Sequence, residues 1–278
     1  MRCVLSAFAD EYSQSLDKQL QMLRENGIGY LEPRFIDGKN ISDFTENDAK
    51  ELKKRLDDAG VRISSIGSPL GKIGINDDFA PHLEATKRTL QTANILDTDK
   101  IRVFSFYVGK TNIEQHFGKV TERLSLMLDE AERAGVTLCH ENEGGVYGET
   151  PDHCRQLMDA LPQLGCVFDM GNFALKGYDP IYAYGLLKDR IKYFHIKDAL
   201  AAGAIVPPGL GEAKIAEILG DFTKEREVMI TLEPHLETFD GLGKLVNPDG
   251  KQFDNPYKFA SKEEAFLAAI KAIKEIIA

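Results

Sequence analysis

No apolar run in this 278-residue chain approaches the roughly 20 residues a helix needs to span a bilayer, so no membrane partner is expected. The N-terminal stretch MRCVLSAFADEYSQ turns acidic too soon for a secretory signal. Cysteine is scarce. Cys3, Cys139, Cys154 and Cys166 show neither CxxC spacing nor a disulfide framework, and they read as reduced thiols in a cytoplasmic protein. Positive charge is in deficit, with 34 Lys and Arg against 44 Asp and Glu and a net charge of -10. Binding to a phosphate backbone depends on clustered Lys and Arg, and no dense basic run occurs here. Nucleic acid is therefore excluded as the expected partner in favour of a small molecule. No linker or break in composition divides the chain, which reads as one domain over 1–278.

What the chain does contain is alternation. Short apolar runs occur at Cys3–Phe8, Gly29–Arg34, Arg62–Ile66, Lys100–Phe106, Thr137–Glu141, Cys166–Asp169, Lys192–His195 and Val228–Glu233. Between them lie helical patterns at Leu16–Glu25, Asp48–Ala59, Ala80–Asn94, Ile113–Ala134, Pro151–Ala160, Pro180–Leu187 and Ala213–Phe222. A last pattern, Lys262–Ile277, begins with Ser261 and Glu264 spaced as a capping box. Gly27, Gly60 and Gly135 stand where helices hand over to strands. Eight strands, each followed by a helix, predict a single-domain (β/α)8 barrel, with a doubly wound open sheet as the alternative. One connection is anomalous. Residues 236–260, between strand 8 and the last helix, are rich in Gly, Asp, Asn and Pro and leave the barrel face where active sites lie, as a lid or an oligomer contact would.

The ends of the late strands carry the chemistry. Strand 5 ends at Glu141, strand 6 at Asp169, strand 7 at His195 and strand 8 at Glu233. In a barrel these ends converge on one mouth, so three carboxylates and one imidazole become neighbours. Such a donor set suits one divalent ion, Mn²⁺ or Mg²⁺ first and Co²⁺ or Zn²⁺ next. Any one of the four alone reads equally well as a solvated strand-end charge; the cluster carries the argument.

Period-two alternation sorts the neighbours. His140 points outward and reads as structural. Glu143 is either a substrate contact or solvated. Lys197 either holds a substrate or pairs with Asp198, and Glu32 and Arg34 either line the mouth or pair with each other. Lys72, Arg102 and Lys197 are candidates to read a phosphate or carboxylate, although no Gly-rich phosphate loop is evident. GLGEAKI (Gly209–Ile215) either offers N–H groups at a helix N-terminus or is a plain turn.

The segments ENEGGVYGETP, VFDMGNF, YFHIKDA and TLEPHL, with SPLGKIGI and IRVFSFY, resemble signature blocks of the sugar phosphate isomerase/epimerase family, the xylose isomerase-like barrels. The resemblance runs over nearly the whole chain. It implies that Glu141 and Glu233 bind the metal and move the protons, while Asp169 and His195 complete the coordination. It also implies contacts to a sugar or sugar phosphate from residues such as Glu32, Lys72, Arg102, Glu143, Asn172 and Lys197. Apurinic endonucleases of the same superfamily carry a three-zinc cluster. Here Asn172 stands where their strand-6 block has a histidine, and strands 3 and 4 bring none, so a nuclease is not expected.

A metal-stabilised enediolate, formed when a carboxylate takes a proton from carbon, is the implied intermediate. Two opposed bases give epimerisation, one base serving adjacent carbons gives isomerisation, and loss of a β-hydroxyl gives dehydration. Inosose and dehydroshikimate dehydratases share the fold, and a barrel that binds without turnover is the remaining alternative.

Overall fold

The computed structural model describes residues 1–201, 203–237 and 256–278. Eight parallel strands form the frame: β1 (Cys3–Ala7), β2 (Tyr30–Leu31), β3 (Arg62–Ile63), β4 (Lys100–Val103), β5 (Thr137–Glu141), β6 (Gly165–Asp169), β7 (Ile191–Ile196) and β8 (Val228–Leu232). Six of them pair in the order β1-β8-β7-β6-β5-β4, and β2 pairs with β3. Isolated backbone contacts join the two sheets. The Glu32 N–H donates to Ala7 O at 3.1 Å, and Ile66 bridges to Ile101, donating to Lys100 O and accepting from Arg102, each at 3.0 Å. These links close the barrel.

Strands β2 and β3 are shorter than their apolar runs suggest. Pro33 has no N–H and cannot continue a ladder; its carbonyl instead accepts the Gly67 N–H at 3.0 Å. Strand β4 likewise stops before Phe106, whose φ of 67° is left-handed.

Helices cover the outside at Leu16–Glu25, Glu46–Ala59, Ala80–Ile95, Phe117–Ala134, Pro151–Ala160, Pro180–Leu187, Ile215–Phe222 and Lys262–Ile277. Gly60 and Gly135 occupy left-handed C-caps, φ 68° and 69°, where a side chain would be strained. Ser261 accepts the Glu264 N–H, but the Glu264 carboxylate reaches back to Ala260 rather than to Ser261, so the expected box is half formed. The short helix Met170–Leu175 and the hairpin Asp198–Leu200/Ala204–Val206 were not legible as separate elements. No helix among the described residues is long and apolar enough to cross a membrane.

Alternation divides the buried residues into two layers. Phe194 points outward from β7 against Phe222 of a covering helix, ring centroids 5.0 Å apart. Inside, Cys139, Val167 and Tyr193 form a small apolar cluster with Met229 beneath the strand ends. That floor places the polar groups above it at the C-terminal mouth. Of the connection 236–260, all but Leu236, Glu237 and 256–260 lies outside the described residues.

Candidate metal centre

Each late strand delivers a side chain at or next to its end to the barrel axis. Glu141 and Asp169 are last residues, His195 stands one before the end of β7 and Glu233 one past the end of β8. Ligand atoms of Glu141, Asp169, His195 and Glu233 all lie within 4.8 Å of one another, and all four residues are buried. The His195 Nδ1 is 2.8 Å from Glu141 Oε1 and 3.4 Å from Glu233 Oε2. Asp169 is held from three directions. Its Oδ1 accepts the Asn172 N–H at 2.8 Å as the N-cap of helix Met170–Leu175, its Oδ2 accepts from Lys197 Nζ at 2.9 Å, and the Asn142 amide brackets its backbone.

Three cations thread the cluster. Arg34 Nη1 donates to Glu233 Oε1 at 2.8 Å, while its other nitrogens bind Asp10 and Glu11. Arg102 Nη1 donates to Glu141 Oε2 at 3.1 Å and stands 3.7 Å from Glu233 Oε1. Lys197 links Asp169, Asn172 and Glu233. Both guanidinium groups lie over the Phe8 ring, 4.5 and 4.9 Å from its centroid.

Even so, negative charge prevails. Buried Asp10, Glu11, Glu32, Glu141, Asp169 and Glu233 face the cations Arg34, Arg102 and Lys197, and the His235 imidazole beside Glu11 and Glu233 is lowered by burial to about 4, so a protonated His195 still leaves two carboxylates unmatched. Burial pushes Asp169 up to about 7, with Glu141 and Glu233 adding to it and Lys197 opposing. Burial likewise pushes Glu11 up to about 8 against the pull of Arg34. Burial would raise Glu141 too, but His195 and Arg102 outweigh it and hold that carboxyl down near about 2. A divalent cation among these oxygens supplies the missing charge, so the donor set fits one.

The other expected site residues divide. Arg102, Lys197 and Asn172 adjoin the four ligand-type groups. Lys72 and Glu143 pair with each other at 3.0 Å at a less buried edge, beside the Phe104 ring. Glu32 does not line the mouth and does not pair with Arg34. It is buried behind His195, with both oxygens 3.3 Å from Nε2, whereas Arg34 crosses to Asp10, Glu11 and Glu233, which follow β1 and β8. The alternative pairing of Lys197 with Asp198 is also absent. Asp198 accepts four backbone N–H groups, from Ala199, Gly209, Gly211 and Ala213, at 2.8 to 3.0 Å. The glycine-containing loop therefore encloses a carboxylate of its own chain with the N–H groups of Gly209, Gly211 and Ala213.

His140 is structural, as its parity predicts. It is fully buried, bonded to Ser105 Oγ at 2.9 Å, and a Cβ on Gly148 would lie 2.3 Å from its ring. Sequence reasoning missed Asp10, Glu11, Asn142 and Tyr193 as partners of the site. The acidic pair Asp10 and Glu11, in the turn Ala9–Glu11 that follows β1, was the available signal.

Fold and site together define a parallel α/β barrel with a buried acidic centre, able to hold a cation, at its strand ends. The chain belongs to the xylose isomerase-like TIM barrel family, whose model matches residues 20–238. Solved structures of this fold include the probable 3-DHS dehydratase AsbF of Bacillus anthracis, at 18% identity over 99% of each chain and a TM-score of 0.73. The IOLI protein with a bound zinc atom shares 16% identity over 100% of this chain and 98% of the other, TM-score 0.73. D-psicose 3-epimerase with D-tagatose, from Clostridium cellulolyticum H10, shares 14% over 98% of each chain, TM-score 0.72. At such identities the likeness is one of fold. Among curated proteins, diaminopimelate decarboxylase of Haemophilus influenzae is 28% identical over 183 residues, or 60% of this chain. The chain spans 44% of that relative's length.

Proposed function

We propose that the protein is a divalent-metal-dependent isomerase or epimerase of a polyhydroxy-ketone. The observation that carries this reading is the convergence of Glu141, Asp169, His195 and Glu233 within 4.8 Å, from four consecutive strand ends. When bound there, a divalent ion supplies Lewis-acid charge to the hydroxyl and carbonyl oxygens of the substrate. Glu141 and Glu233 act as the proton-transfer pair. They sit on strands separated by two others, so each carboxylate reaches the substrate carbon from its own side and takes or returns a proton. Arg102 touches both and holds them in place. Asn172 and Lys197 bind substrate oxygens beside Asp169, and Lys72 with Glu143 forms the outer contact.

The substrate reading favours an unphosphorylated sugar over a sugar phosphate. Arg34, Lys72, Arg102 and Lys197 are each already paired with carboxylates, so a phosphate would have to displace an internal partner. A second reading, dehydration, rests on Lys197. Its ammonium contacts Asp169 and Glu233, where its charge stabilises the oxygen of a departing β-hydroxyl. The four free cysteines, three of them buried, fit a reducing compartment such as the cytoplasm.

The deciding experiment incubates Mn²⁺-, Mg²⁺- and Zn²⁺-loaded protein with ketoses, ketose phosphates and inososes in deuterated water. Deuterium at the carbon next to the carbonyl, with an epimer or aldose as product, supports the first reading. An unsaturated or deoxy product supports the second, and absence of exchange with all substrates and metals rejects both.

A further inference from the structure

Glu32 lies on the Nε2 side of the His195 ring, away from the nitrogen that faces Glu141 and Glu233. It is fully buried, and both its oxygens are engaged from within the barrel. Tyr193 Oη donates to Oε1 at 3.0 Å, and Ser65 Oγ lies 3.0 Å from the same hydroxyl. His195 Nε2 stands 3.3 Å from each carboxylate oxygen. Tyr193 and His195 share one face of β7, their rings edge to face at 5.4 Å, so the strand itself sets the spacing of donor and imidazole.

An imidazole has two distinct nitrogens, and the partner of one determines the state of the other. A cation on Nδ1 leaves the one hydrogen of the neutral ring on Nε2, the nitrogen that faces the Glu32 carboxylate. Nδ1 is then the nitrogen turned toward Glu141 and Glu233, at 2.8 and 3.4 Å.

We propose that Glu32, oriented by Tyr193, is a positioning residue that keeps His195 in its Nε2–H form and so presents Nδ1 to the cation. This rests on the metal-centre reading above and assigns Glu32 a different role from substrate contact. A hydrogen-bonded outer partner fixes the ring's rotation as well as its tautomer, and raises its basicity as a ligand. Arg102 also feels the Glu32 charge, which gives a merely charge-balancing role for Glu32 as the alternative to be tested.

The test uses the whole chain, ¹⁵N-labelled at histidine and loaded with ¹¹³Cd²⁺. The expected spectrum shows cadmium–nitrogen coupling at His195 Nδ1 and a hydrogen-bonded N–H at Nε2. Cd²⁺ affinity, read by chelator competition, should weaken about 10- to 100-fold in Glu32→Gln and about 10-fold in Tyr193→Phe, the range for loss of an outer-shell partner. Tyr193→Phe keeps the ring and all of Glu32, so it decides the matter if Glu32→Gln does not fold. Coupling at Nε2, or wild-type affinity in Tyr193→Phe, overturns the inference while leaving the metal centre standing. Wild-type protein that binds no Cd²⁺, or binds it unchanged after His195→Ala, overturns the metal centre itself and this inference with it.

Discussion

Arg34 and Glu233, 199 positions apart, meet at 2.8 Å inside the barrel, and the same guanidinium holds Asp10 and Glu11. Removing a partner from a buried ion pair leaves an uncompensated charge. Arg34→Met should therefore lower stability by about 3–5 kcal/mol, read by urea denaturation. A loss within experimental error would show that the carboxylates accommodate one another without Arg34.

The ligand set makes its own prediction. Protein purified without chelator should carry about one divalent ion per chain, the stoichiometry of a single closed site. In His195→Ala that content should fall well below one, and added Mn²⁺ should no longer raise the melting temperature. Elemental analysis with thermal scans checks both, and unchanged metal content would reassign the site.

Proton transfer is separable from metal binding. Gln keeps an oxygen donor but has no basic carboxylate. Glu141→Gln and Glu233→Gln should keep much of their metal while losing turnover by roughly 10²-fold or more. In an epimerase, each variant should still exchange solvent deuterium on its intact side without net epimerisation. A variant that epimerises at close to the wild-type rate would demote that residue to a ligand.

Gly171 tests how closely the mouth is packed. A Cβ there would lie 2.4 Å from the Lys197 carbonyl oxygen and 2.7 Å from the Lys197 Cβ. Gly171→Ala should cost about 1–3 kcal/mol through overpacking. It should also raise KM, because it displaces the lysine beside Asp169. Calorimetry and steady-state kinetics together measure the two effects.

His82 sets an acid limit outside the ligand cluster. Its Nε2 accepts the Gly71 N–H at 2.8 Å, beside the rings of Phe79 and Phe106. Burial, with Arg123 adding to it, lowers this imidazole to about 4. An unfolded histidine takes up its proton near pH 6.5 and the folded one only near 4, so this group's contribution to stability is present above 6.5 and declines as pH falls through that window. The drop in melting temperature from pH 7 to 4.5 should be smaller in His82→Gln. Identical drops in the two proteins would remove His82 from the account.

Periodicity and the ends of β5 to β8 were determined locally, and they were legible to within one residue. The helices Leu16–Glu25, Pro151–Ala160, Pro180–Leu187 and Lys262–Ile277 follow the expected bounds, because caps and apolar spacing act within a few residues. The quartet Glu141, Asp169, His195 and Glu233 could be named because barrel topology brings successive strand ends together whatever lies between them. Partner choice was decided only by the tertiary structure. Nothing near Arg34 in the chain indicates that it bonds Glu233 rather than Glu32. Nor does anything near Asp198 show that its carboxylate gathers four amides instead of pairing with Lys197. In the barrel interior a charge must find its counter-charge within about 4 Å, or its burial is prohibitively costly. Which groups come within that distance depends on strand stagger and side-chain direction around the closed barrel, and neither is encoded in any local stretch of residues.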